Sequence, residues 1–171
     1  GTTGGVSAPA KIPGLTGVTH LGAGPGFTCA TVGAAGDVRC WGANDAGQLG
    51  NGNTTNQSTP QPTSISGATA LALGGGHACA LLTGGTVKCW GQNANGQLGD
   101  GTRTSSTSGV VVSGLSNATA ITAAPVPHFY GQHTCARRSD GSVACWGHNA
   151  HGRLMRGESM LIATPTLVNI P

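Results

Sequence analysis

The chain has 171 residues and a formal net charge of +3, with 8% charged residues, 4% aromatics and 31 glycines. A typical soluble domain carries about 25% charged residues, and disordered chains are usually charge-rich and without periodic apolar positions, so neither description fits this one. The eight Lys and Arg are scattered rather than clustered, which excludes a nucleic-acid footprint, and no apolar run approaches the roughly 18 residues of a membrane span.

Three copies of one unit follow one another along the chain, set by Trp41, Trp90 and Trp146, which lie 49 and 56 residues apart. The first unit, about 7–57, opens on the Pro-bearing segment "SAPAKIPGL" (7–15). It continues with the alternating run "GVTHLGAG" (17–24) and the paired segment "FTCATVGAAGDVRCWG" (27–42), and closes on "CWGANDAGQLGNG" (40–52). The second unit, about 58–106, repeats this order as "STPQPTSISG", "ATALALGGG", "HACALLTGGTVKCWG" and "CWGQNANGQLGDG". The third, about 107–163, reads "TSGVVVSGL", "ATAITAA", "HTCARRSDGSVACWG" and the altered "CWGHNAHGRLMRG", with "PVPHFYG" (125–131) inserted. Residues 164–171 begin a further unit, Pro165 matching Pro9 and Val168 matching Ile12, so the sequence starts and stops in the same phase. It begins at Gly1 without a leader-like run, which reads as a processed chain or a piece of a longer one.

Each paired segment reads as a hairpin whose register can be counted. In the second unit a three-residue loop at 83–85 with Gly85 left-handed pairs Leu82 with Thr86, Leu81 with Val87, Ala80 with Lys88 and Cys79 with Cys89. The same count in the third unit ends on Cys135 and Cys145, and a four-residue loop at 33–36 in the first ends on Cys29 and Cys40. Cysteines directly opposite one another across an antiparallel pair are near disulfide distance. Three local disulfides are therefore expected, each closing a short loop and each stabilising by about 2–3 kcal/mol on the chain-entropy model. Three pairs of buried thiols are the other reading of the same positions; the spacing is not a usual zinc spacing.

Three or four short strands per unit cannot bury both faces of one small sheet, whereas sheets stacked face to face can. Trp41, Trp90 and Trp146 follow the cysteines by one residue and so point to the opposite face, where they are expected to pack between sheets. Asn44, Asn93 and Asn149 with Gly47, Gly96 and Gly152 build a tight turn in each closing phrase. Leu49, Leu98 and Leu154 then plug the same layer. A sugar-stacking role for the tryptophans is the functional alternative.

The sequence offers no catalytic constellation. The acids Asp37, Asp45, Asp100, Asp140 and Glu158 form no acid–base pair, and neither a nucleophile elbow nor a phosphate loop is present. His77 and His133 hold equivalent repeat positions and read as structural. His148 and His151, with His128 and His133 near the insertion, form the one arrangement that could recruit a metal, but no carboxylate stands at ligand spacing, so no metal or other cofactor is expected. "NTT" (53–55), "NQS" (56–58) and "NAT" (117–119) have the form of glycosylation sequons.

"CWGxNxxGQLGxGT" followed by a Pro segment and then "H-(T/A)-C-A…G-x-V-x-CWG" resembles the repeat of the regulator of chromosome condensation family. More narrowly it resembles the cysteine-paired form found in secreted or surface bacterial proteins. The resemblance runs from about residue 7 to the end. It implies an all-β fold of β-propeller blades, one repeat per four-stranded blade and about seven blades in a closed ring. Three repeats make an open arc or part of a larger propeller, and with matching ends they invite completion by other copies or by a longer chain. The departures are Phe27 where the other units have His77 and His133, Arg153 for Gln48 and Gln97, and Met155 for Gly50 and Gly99.

Fold does not carry function. What the family shares is a rigid scaffold whose loops bind proteins, so the expected role is a non-enzymatic, secreted or surface protein-binding or assembly module, with no nucleic-acid partner. A subunit of an extracellular filament or coat and a metal-dependent enzyme using the third-unit histidines are the alternatives. The irregular third unit is the expected contact face, through His128, Phe129, Tyr130, His148, His151, Arg153, Met155 and Arg156.

Overall fold

The computed structural model describes residue 8 and residues 11–125, 132–155 and 161–168. They form three four-stranded antiparallel sheets in chain order. The first blade has β1 (Val18–Ala23), β2 (Phe27–Val32), β3 (Asp37–Gly42) and β4 (Gln57–Pro62). The second has β5 (Ala68–Leu73), β6 (His77–Leu82), β7 (Val87–Gly91) and β8 (Ser106–Val111). The third has β9 (Ala118–Ala123), β10 (His133–Arg138), β11 (Val143–His148) and β12 (Leu161–Val168). The strands of every sheet follow one another by simple up-and-down pairing. The blades are those of a partial β-propeller, stacked but not closed into a ring.

The hairpins hold the counted register. Cys79 faces Cys89, Ala80 faces Lys88 and Leu81 faces Val87, with Leu82 N–H donating to Thr86 O at 2.8 Å and Gly85 at φ 83°. Cys29 faces Cys40 and Cys135 faces Cys145, and all three pairs are disulfide-bonded. The sheets run out of phase with the sequence units. The segments that open the second and third units, Pro-bearing in the second and with Gly109 in the proline's place in the third, are the outer strands β4 and β8 of the preceding sheets. The closing phrase turns the chain back so that Gly42 meets Gln57 and Gly91 meets Ser106, and the nearest unpaired edge is that of the same sheet.

The sheets approach one another through β1, β5 and β9, with β5 also against β2 and β9 also against β6. They therefore fan apart toward β4, β8 and β12, and the closing phrases fill the wedge. Gly52 N–H reaches Thr107 O on β8 at 3.0 Å, and Gly101 N–H reaches Ala163 O on β12 at 2.9 Å. Asn44 holds the first phrase together. Its Oδ1 accepts Leu49 N–H at 2.9 Å, and its amide donates to Asn53 O and Thr55 O at 2.9 and 3.0 Å. Asn93 does the same with Leu98, Thr102 and Thr104, and Asn149 Oδ1 accepts Leu154 N–H at 2.8 Å. Leu49, Leu98 and Leu154 are thereby driven into full burial.

Two cores result, one in each gap. The first joins the cysteine face of one blade (Phe27, Cys29, Val38, Cys40, Leu49) to the tryptophan face of the next (Ala78, Ala80, Trp90). The second joins Cys79, Leu81, Val87, Cys89 and Leu98 to Ala136 and Trp146. Trp90 Nε1–H donates to Gln48 O and Trp146 Nε1–H to Gln97 O, both at 2.9 Å. The glycine two residues on lies flat under the indole. A Cβ on Gly50 would fall 2.8 Å from Trp90 Nε1, and one on Gly99 2.7 Å from Trp146 Nε1, while their φ values of 66° and 71° are left-handed. Met155 stands at this position in the third phrase with φ 52°.

Opposite effects follow from the same chemical change at these positions. G99A loses more than about 1 kcal/mol from its left-handed backbone and about 1–3 kcal/mol from forced overlap with Trp146. M155G gains up to about 1 kcal/mol by relieving that backbone. Urea unfolding of the oxidised proteins measures both; equal effects at the two sites would contradict the packing described.

Candidate functional site

The third blade carries two of the departures from the repeat, Arg153 and Met155. Its phrase leaves β11 at His148, makes a short 3-10 turn at Ala150–Gly152 and reaches Met155. His151 and Met155 are the described non-glycine residues with left-handed backbone, at φ 63° and 52°. Arg153, in the place of Gln48 and Gln97, folds back and donates from Nε to Ala150 O at 2.7 Å. The glutamines instead accept Ala46 and Asn95 N–H on their side-chain oxygens, both at 2.9 Å. Met155 is 58% exposed and His151 is exposed. His148 is buried and its backbone N–H donates to the backbone carbonyl of Gln132 at 2.9 Å. Burial, then the nearby Arg153, His133 and His151, hold its imidazole below the ordinary range. Of the eight contact residues expected from the sequence, His148, His151, Arg153 and Met155 share this turn. His128, Phe129, Tyr130 and Arg156 lie outside the described residues.

Two further residues of the third blade escaped the sequence reading. Arg137 is exposed on β10, with Nε donating to Thr119 Oγ1 at 3.2 Å, where the second blade has the buried Leu81. Aligning the hairpins position by position would have found it, since Thr31, Leu81 and Arg137 are equivalent. Gln132 is buried and its Oε1 accepts Gln97 Nε2–H at 2.6 Å. It follows the insertion directly, so no repeat partner marks it.

His77 belongs to the packing rather than to a reaction. It is fully buried in the gap between the second and third blades. Thr134 Oγ1–H donates to Gln97 O at 3.3 Å, so its lone pair is free to accept His77 Nε2–H at 2.8 Å. Nδ1 is then the unprotonated nitrogen, and it has no hydrogen-bond partner among the described residues. Burial, reinforced by His133, pushes the imidazole down to about 3. A neutral histidine of this kind is a poor proton carrier near neutral pH. Among the described residues no three His, Cys, Asp or Glu side chains come together as metal ligands, and no helix is long and apolar enough to cross a membrane.

Two family models, both for the regulator of chromosome condensation (RCC1) repeat, match the chain: one over residues 68–97 and 129–153, the other over residues 35–81. No curated protein sequence matches. Among solved structures, yeast RCC1 (Prp20) bound to Kap60 superposes with a TM-score of 0.77 and 16% identity over 92% of this chain and 38% of that one. Saccharomyces cerevisiae Prp20p, with binding properties to Gsp1p and histones, gives 0.78 and 17% over 92% of this chain and 39% of its own. Human WBSCR16 gives 0.74 and 21% over 89% and 39%. The chain thus spans about two-fifths of the length of the solved chains it matches.

The state of His77 sets a pH dependence. Between its ordinary value of 6.5 and about 3 the unfolded chain binds a proton that the folded chain refuses, so stability falls as pH falls through that window. H77F, which installs the first blade's residue, removes this slope while other groups titrate as before. Urea unfolding at pH 7 and pH 4 should show a smaller loss for H77F than for the wild type; an equal loss would exclude the buried neutral imidazole.

Proposed function

The chain belongs to the regulator of chromosome condensation repeat family, and on that premise we propose that it is a non-enzymatic protein-binding module. The observation that carries the reading is the contrast between a stapled scaffold and one irregular turn. Three disulfides and two interlocked cores hold the blades rigid. The third-blade turn carries side chains that the repeat does not require: His151, Arg153 and Met155. Side chains presented on a rigid frame lose little freedom on binding, which favours affinity. The cations and the exposed thioether suit a protein surface that is both acidic and apolar. The insertion at 125–131, with His128, Phe129 and Tyr130, would extend the same contact, as would Arg156. The disulfides favour an oxidising, extracellular setting, and the cysteine-paired repeat form favours a bacterial one. Prp20p, which shares the fold, has binding properties to Gsp1p and histones, and that agrees with a protein-binding role.

A second reading is assembly: a structural subunit of an extracellular filament or coat, or a segment of a longer propeller. It is favoured by the outward face of the first blade, where Leu21 is 65% and Val18 43% exposed. Exposed apolar residues of this kind mark interfaces.

Replacing His151, Arg153 and Met155 together by alanine tests the first reading. Crosslinking in the protein's own extracellular medium should recover a partner with the wild type and lose it with the triple variant, at unchanged thermal midpoint. A partner retained by the folded variant would remove this turn as the binding site.

A further inference from the structure

The two internal gaps show what either outward face would need in order to accept another blade. Each gap pairs a cysteine face and a Gln-Leu-Gly turn on one blade with a tryptophan face on the next. The first blade keeps the whole tryptophan-side set on its outward face. Leu15 and Trp41 are only half-buried and Leu21 is exposed, whereas their counterparts Ile65 and Trp90 are buried and Leu71 packs against the first core. Trp41 donates to no carbonyl among the described residues, although Trp90 and Trp146 both do.

The third blade does not keep the matching set. Val143 is half-buried where Val38 and Val87 are buried. The buried Leu81 of the second gap is replaced by the exposed, charged Arg137. The glycine that lies under each indole is replaced by Met155. Met155 retains the glycine's backbone, at φ 52° against 66° and 71°. Its Cβ therefore stands where Gly50 and Gly99 would place one, inside the volume that Trp90 and Trp146 occupy in the internal gaps. An incoming indole would meet that carbon, and an incoming alanine face would have to desolvate a guanidinium.

We propose that Met155 and Arg137 close the third blade against any further repeat blade, so that repeat-type neighbours join this chain only through the face of Leu15, Leu21 and Trp41. The occupant that fits this face is a blade ending in a Gln-Leu-Gly turn, because such a turn offers Trp41 the carbonyl and the bare glycine that both internal gaps use. A second copy of this chain cannot serve, since its own turn reads Arg-Leu-Met. The inference rests on the assembly reading and gives it a direction. Repeat arrays need polar outer faces at their ends to stay soluble, and the exposed guanidinium of Arg137 is a polar change of that kind on the third blade.

The test opens the closed face. M155G/R137L should self-associate, its mass in sedimentation rising with concentration and its tryptophan emission shifting to the blue as Trp41 is covered. Adding W41A should return it to the wild-type mass. Wild type mixed with M155G/R137L/W41A should form one-to-one dimers, since each then offers one competent face. M155G alone, which relieves a left-handed methionine, controls for folding. A folded M155G/R137L that keeps the wild-type mass would overturn the inference, because these two side chains would then not be what closes the face. A wild-type oligomer dissolved by W41A would overturn the inference and leave the assembly reading standing.

Discussion

Each gap in the stack is organised around one indole N–H that must find an acceptor while its ring is buried. Trp90 and Trp146 find it in the carbonyls of Gln48 and Gln97, in the phrase of the preceding blade. A buried indole donor left unpaired would cost about as much as its ring gains. The carbonyl can reach the ring only because the residue after the leucine has no side chain. The asparagine that ties the turn, the leucine that plugs it and the left-handed glycine beneath the ring all follow from that single bond. The thirteen-residue phrase recurs because sheets that fan apart leave a wedge, and this turn fills it.

The disulfides act with this arrangement. They bridge the two central strands of each blade, and in the first two blades they lie fully buried in the gaps. They fix the hairpin register on which the alternation of cysteine and tryptophan faces depends, since a slip of one residue would exchange the faces. His77 shows how tightly the second gap is closed: it holds a neutral imidazole at full burial, tied to Thr134 and through it to the same Gln97 carbonyl that receives Trp146.

The third blade is where the rule is relaxed. A methionine occupies the left-handed position at which the other phrases place glycine, and an exposed arginine takes the place of a core leucine. Residues freed from packing are available for recognition, and the same substitutions that expose them oppose continuation of the stack. The proposed binding and the proposed termination would therefore be two consequences of one local change.

Repeat spacing was legible in the sequence because one phrase recurs, and hairpin register and cysteine opposition because each depends on residues within about ten positions of one another or on a period of two. So was the burial of Trp90, Trp146 and the three leucines, which needs only alternation and recurrence. The phase of the sheets was not legible. Whether a Pro-bearing segment begins one blade or ends another depends on which free edge the returning chain meets. The asymmetry of the two outward faces was not legible either. Arg137 and Met155 look like scattered surface changes until the stack shows that Leu81 and Gly99, their counterparts, lie in one gap. That gap is made by blades whose contacting residues are some 49 positions apart, as Gln97 and Trp146 are. Local patterns determined how each sheet forms, and only tertiary packing decided which of its faces would be covered.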